Sequence, residues 1–143
     1  MLESPLNPWT RYLAIYAGTA TLMVLLDLIW LGLVAKPLYQ QGIGHLMSEQ
    51  PRVAVAVAFY LVYALGLVVF AVMPHAALAG PWKAAMFGAL FGFFAYATYD
   101  LTNLATLRGW PLGLSLLDMA WGALVSGLSA AAGKAVLDRL PPG

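Results

Sequence analysis

The sequence predicts an all-α integral membrane protein: a four-helix antiparallel bundle with both termini on the same side. Three observations predict it. Of the 143 residues, 62% are hydrophobic and only 9% are charged, against about 25% charged in an average soluble domain. So few charges cannot cover the surface of a small water-soluble protein. Second, four apolar stretches each run for roughly 21–24 residues, and about 20 helical residues cross a hydrocarbon core of about 30 Å. Third, Pro, Lys, Arg and Trp cluster at the ends of those stretches, where the polar interface is expected. In lipid the backbone must satisfy its own hydrogen bonds, so the stretches are helices rather than lone strands.

The first helix is expected over about 12–34, with Asp27 as its only charge. Pro5, Pro8, Trp9 and Arg11 precede it, and Lys36-Pro37 ends it. The run is too long for a signal-peptide h-region, contains Asp27 and Trp30, and has no A-x-A site after it. The second helix, about 53–73, opens at Pro51-Arg52, closes at Pro74-His75 and carries no charge. The third, about 84–107, follows Pro81-Trp82-Lys83 and contains Asp100. Arg108-Gly109-Trp110-Pro111 makes a tight turn into the fourth, about 112–133, which contains Asp118. Lys134, Asp138, Arg139 and Pro141-Pro142 mark the exit. Residues 1–143 thus read as a single transmembrane domain. Trp9, Trp82 and Trp110 fall where aromatic belts are expected.

Arg11, Lys83, Lys134 and Arg139 share one side of this topology, and Lys36, Arg52 and Arg108 the other. The small excess favours cytoplasmic termini. The long first loop, 35–51, reads "AKPLYQQGIGHLMSEQP". Its Leu38, Tyr39, Ile43, Leu46 and Met47 make the apolar face of a short interfacial helix. The other loops are short, so successive helices pack antiparallel. A net charge of +1 and the absence of basic runs argue against a nucleic-acid partner. With no cysteine, disulfides and thiolate chemistry are excluded.

The polar residues are informative because of their depth. Asp27 lies near the end of the first helix, Asp100 near the end of the third, and Asp118 near the start of the fourth. In an antiparallel bundle all three sit roughly 10 Å below the same membrane face, at 1.5 Å of rise per residue. Each helix carries a pair at spacing i, i+3 there: Asp27/Trp30, Tyr60/Tyr63, Asp100/Asn103 and Asp118/Trp121. That spacing puts both members on one face, and Tyr96 extends the stripe on the third helix. Each Trp is expected to act as a lid or donor in its own acid's neighbourhood.

A carboxylate at mid-membrane costs about 2.5–3.5 kcal/mol on insertion scales. Turning three of them inward, toward Tyr, Trp and Asn donors, lowers that cost. No Lys or Arg falls within the expected helices, so Arg52 and Arg108 are the nearest candidate counter-ions. Clustered carboxylates cannot all ionise without a cation. Asp27, Trp30, Tyr60, Tyr63, Tyr96, Asp100, Asn103, Asp118 and Trp121 are therefore candidate ligand-binding residues. No cofactor is called for; if a metal is held, its ligands are Asp27, Asp100 and Asp118, and oxygen-only donors favour a hard divalent cation. The plainer alternative is that each Asp bonds a Trp or Tyr on the next helix and only pins the bundle. Such contacts contribute about 0.6 kcal/mol on average. Intramembrane ionisable groups are functional by default, which favours a site.

Gly88 and Gly92 on the third helix and Gly122 and Ser126 on the fourth form small-residue faces. Close packing within one subunit is favoured over a dimer interface. His45 and His75 read as solvated loop residues. No G-x-S-x-G, Walker, H-E-x-x-H or D-D-x-x-D motif is present. No catalytic residue is identified, and the balance leans away from an enzyme. "LLDLIWLGLV" (25–34) and "LLDMAWGALV" (116–125) match at six of ten positions. Their helices run in opposite directions, so they read as two solutions to one local problem rather than an inverted repeat.

The blocks "LDLIWLG" (26–32), "FYLVYALGLVVF" (59–70), "YDLTNLATLRGWP" (99–111) and "LDMAWG" (117–122) resemble the bacterial predicted membrane proteins grouped as domain-of-unknown-function family 2177. The resemblance covers about 12–133. It implies a small four-helix protein of the bacterial cytoplasmic (inner) membrane and no assigned reaction. Three functions then compete. The first is a protein that binds or transports a cation, proton or small polar ligand at the carboxylate cluster. The second is a membrane-embedded lipid-modifying enzyme with one acid as general acid and another as base. The third is a non-catalytic accessory subunit of a larger membrane complex. The lipid bilayer is the first partner, and four helices are few for a carrier, so a homo-oligomer fits the first reading.

Overall fold

The computed structural model describes residues 5–141. Four long helices pack together, and each is long and apolar enough to span a bilayer. Helix α1 (Pro8–Ile29) begins earlier than expected because Asn7 caps it: its side chain accepts from the Trp9 amide at 2.9 Å, and Pro8 fills the first helical position. The helix continues through a π-helical segment, Trp30–Val34, whose register is closed by Ala35 N–H donating to the Trp30 carbonyl at 2.7 Å. Helix α2 (Lys36–Ile43) occupies the first loop and takes in Leu38, Tyr39 and Ile43 of the apolar pattern there, while Leu46 falls in a 3-10 turn, Gly44–Leu46, and Met47 lies beyond it. Helix α3 (Val53–Leu67) also ends in a π segment, Val68–Val72. Helix α4 covers Trp82–Thr106 and helix α5 Leu112–Arg139. Gly109, at φ 70°, supplies the left-handed residue of the turn between them.

Helices α4 and α5 form the tightest seam. A Cβ on Gly88 would lie 2.6 Å from Ala130 Cβ and 2.8 Å from the Ser126 carbonyl oxygen. A Cβ on Gly92 would overlap the Gly122 carbonyl and the Ser126 hydroxyl, and one on Gly122 would overlap the Tyr96 ring. The small residues therefore let the two backbones touch inside one chain. Helix α1 covers another face of α5, where Thr19 meets Gly133 and Gly18 meets Val136. One apolar cluster joins Ile15, Val68, Ala71, Val72, Ala130 and Leu137; a second joins Met23, Tyr63, Leu67 and Val125. Helix α3 enters both clusters only through its second half. Residues 53–59 are exposed throughout.

Helix α5 runs six residues beyond its expected end, and this changes the place of Lys134. The sequence pattern puts it in the exit segment. In the structure it is fully buried, with Nζ donating to the Leu78 carbonyl and to Asp138 Oδ1, each at 2.5 Å. Asp138 also accepts from the Gly80 amide at 3.2 Å. The cation ties the α3–α4 connection to the end of α5. His75 is not simply solvated either: Nδ1 lies 2.7 Å from the Ala71 carbonyl, and the ring packs on Phe87.

Candidate functional site

Near the end of the bundle where α2 lies, side chains from all five helices and the π segment after α1 surround a cavity of about 510 Å³. Asp27, Trp30, Tyr60, Tyr63, Tyr96, Asp118 and Trp121 line it, together with Leu31, Tyr39, Phe59, Ala95 and Tyr99. Asp100 and Asn103 do not. Asp100 stands behind Asp118, within hydrogen-bonding reach of its carboxyl, and is only 1% exposed. Asn103 lies beside the Tyr99 hydroxyl.

The two Asp-x-x-Trp motifs interlock. Trp121 of α5 donates from Nε1 to Asp27 Oδ1 of α1 at 2.8 Å. Trp30 stacks flat on Trp121, with centroids 4.4 Å apart and planes 5° from parallel. Trp121 therefore serves the acid of the other motif, not the one three residues before it, because antiparallel helices bring the two motifs face to face. The Tyr60 hydroxyl lies within reach of the same Asp27 carboxylate. Tyr63 shares a 2.7 Å hydrogen bond with the Ser126 hydroxyl and meets the Tyr96 ring edge-on at 6.2 Å.

Asp118 takes its donor from outside the spanning helices. Tyr39 of α2 donates from its hydroxyl to Asp118 Oδ1 at 2.5 Å. Burial first, and then this bond, push Tyr39 above the ordinary phenol pKa, so it holds its proton as a donor. The Trp30 indole approaches the same hydroxyl but falls short of hydrogen-bond geometry, and Trp30 Nε1 is buried without a partner. Asp100 Oδ2 is the other orphan among the described residues. Such groups call for an explanation, since buried polar atoms are almost always paired.

Tyr39 and Tyr99 were not among the residues singled out by spacing. Tyr39 was legible as part of an amphipathic loop helix, and the depth of Asp118 beneath that loop was the signal that could have linked them. Tyr99 follows Tyr96 at i+3, a spacing that could have placed it on the same face.

Two expectations need correction. The three aspartates do not make a metal-ligand set: no group of three His, Cys, Asp or Glu side chains able to hold an ion occurs among the described residues. Asp27 is committed to Trp121, while Asp118 faces Tyr39 and Asp100. Nor do Arg52 and Arg108 act as counter-ions. Both are exposed, and the ion pair found among the described residues is Lys134–Asp138. The interhelical bonds of the pinning reading are present, at Asp27–Trp121 and Asp118–Tyr39. They border an open space rather than fill it.

Four spanning helices packed on small-residue seams define an integral membrane protein. Residues 12–135 match the family described as predicted membrane protein, DUF2177. The chain belongs to that family. No curated protein and no solved structure matches it.

Proposed function

We propose that the protein binds a small cationic or polar ligand in the cavity between its helices, with Asp27 and Asp118 as the charged groups of the site. One observation carries this reading: two carboxylates open onto a cavity inside a membrane bundle, with no basic side chain paired to them among the described residues. Acids in that setting need a proton or a cation to offset their charge. Helix α2, held by Tyr39, is the cover of the site toward the first-loop side. Placement in a bacterial cytoplasmic membrane with cytoplasmic termini, and assembly into a homo-oligomer that carries the ligand across, complete the proposal.

The test uses purified protein in maltoside micelles or liposomes. Tryptophan emission, to which the Trp30–Trp121 stack contributes, is followed while pH and candidate cations are varied, beside Asp118→Asn. A saturable response in the native chain that Asp118→Asn shifts by tenfold or more supports the reading. A native chain that responds to nothing, or responds identically without the carboxylate, leaves pinning as the only role for these acids.

A further inference from the structure

The walls of the cavity say more about its ligand than its charge does. They are mostly aromatic faces. The Trp30–Trp121 stack forms one side, and Tyr63 and Tyr96, set at 78° to each other, form a corner. Tyr99 adds a further ring. A hard divalent ion needs six or more oxygen ligands at short range. Here the two lining carboxylates each have an oxygen committed to an aromatic donor, and no three acids placed to hold a metal ion occur among the described residues. A bare proton needs no cavity of about 510 Å³. Aromatic faces with nearby carboxylates are instead the surroundings that hold an ammonium carrying alkyl groups: the ring quadrupoles attract the cation, and the rings pack on its carbons.

The route into the cavity points the same way. The first half of α3 stands away from the bundle, with residues 53–59 exposed. In the π segment that follows α3, Val68, Ala71 and Val72 are buried against their neighbours. Tyr63 spans the gap with its ring against Phe91 and Tyr96. Phe59 and Leu31, both on the cavity wall, are each 45% exposed on the lipid-facing surface. The cavity therefore reaches the hydrocarbon sideways. Behind it, Asp100 leaves Oδ2 buried beside Asp118 without a hydrogen-bond partner among the described residues.

We propose that the cavity takes an alkylammonium group, held between the aromatic faces with Asp27 and Asp118 as counter-charges, its hydrocarbon trailing past Phe59 and Leu31 into the bilayer. This rests on the reading that the cavity is a ligand site. The chemistry belongs equally to a soluble tetraalkylammonium and to an amphiphile with an ammonium head, and the test separates them. Native protein in maltoside micelles is titrated with tetramethylammonium, dodecyltrimethylammonium, sodium and magnesium, with Trp emission and calorimetry as readouts. Saturable binding of the long-chain ammonium, at least tenfold tighter than tetramethylammonium, is expected and identifies a membrane amphiphile. Equal affinity for the two supports the ammonium group but assigns it to a soluble source.

Two variants carry the specificity. Asp118→Asn is expected to weaken ammonium binding at least tenfold. Tyr99→Leu, at a side chain 54% exposed and so tolerant of change, is expected to weaken it three- to tenfold while leaving the helical circular dichroism unchanged. An ammonium response untouched by Tyr99→Leu overturns the aromatic cage even if Asp118→Asn does not fold. Saturable, Asp118-dependent binding of sodium or magnesium without any ammonium response overturns the ligand class but leaves the ligand site standing. No response to any of the four overturns both.

Discussion

Gly92→Ala tests the α4–α5 seam on which the site is built. The added methyl would overlap the Gly122 carbonyl oxygen and Ser126 Oγ and lie 2.5 Å from Ser126 Cβ, where ordinary contact begins at 3.4 Å. A carbonyl within a helix cannot swing aside, so the helices must part by about 1 Å, and a gap of 0.5–1 Å forfeits roughly a quarter to a half of each dispersion contact it opens. Overpacking of this kind costs about 1–3 kcal/mol. The better helix preference of Ala over Gly offsets about 0.5–1 kcal/mol of it. The expected net loss is about 0–2.5 kcal/mol. Gly113→Ala is the control: nothing lies within 4 Å of its added Cβ, so it should be neutral or slightly stabilising, by at most about 1 kcal/mol. The assay is unfolding in mixed micelles by rising sodium dodecyl sulfate, followed by far-UV circular dichroism. If Gly92→Ala unfolds at the same midpoint as Gly113→Ala, α4 and α5 do not touch where the structure places them.

Other perturbations probe the site and the opposite end. Tyr39→Phe removes the bond to Asp118 and should cost about 1.5–3 kcal/mol as a bond to a charged acceptor, seen as faster hydrogen exchange in residues 36–46 with the spanning helices unchanged. Because the folded pKa of Tyr39 is raised, its contribution should be constant through neutral pH and decline only as pH climbs beyond the ordinary phenol value of about 10; a loss of α2 protection between pH 6 and 8 would have to come from another group. Trp121→Phe keeps an aromatic ring opposite Trp30 but leaves Asp27 without its indole donor, and should lower stability by about 1–3 kcal/mol in the same unfolding assay. Lys134→Met fills the same space without the charge and frees the Leu78 carbonyl; since Asp138 is partly exposed, the expected loss is about 1–3 kcal/mol, with proteolysis of the 76–81 connection as a second readout.

The spanning helices were legible because hydrocarbon thickness dictates their length and interfacial residues mark their ends. The errors came where local chemistry overrode that pattern. Asn7 and Pro8 start α1 early, and the buried Lys134 lets α5 run past the first charge at its end. At the site, depth along each helix was readable from residue counting, and it brought Asp27, Asp118 and their tryptophans to one level. Rotation about each helix was not. Asp100 and Tyr99 are neighbours in sequence, yet Tyr99 lines the cavity and Asp100 sits behind it. Spacing rules say which residues share a face, but only packing against the other helices says which face looks inward. Tyr39 escaped because an amphipathic loop helix offers the same pattern whether it rests on lipid or on protein.

The π segment at Trp30–Val34 makes the length of this stretch matter more than its composition. Its closing bond spans five residues rather than four, so the segment behaves as an α-helix with one extra residue. Removing a single codon there, at Leu33 for instance, lets the stretch relax to α-helix. The residues beyond it then keep their rotation about α1, because the deletion takes out only the residue that the wide turn absorbs. The Trp30–Trp121 stack and the Tyr39–Asp118 bond should survive that deletion. An added residue has no second wide turn to absorb it: it should rotate everything beyond by about 100° and carry Tyr39 away from Asp118, whereas substitutions at the exposed Gly32 and Leu33 should pass largely unnoticed.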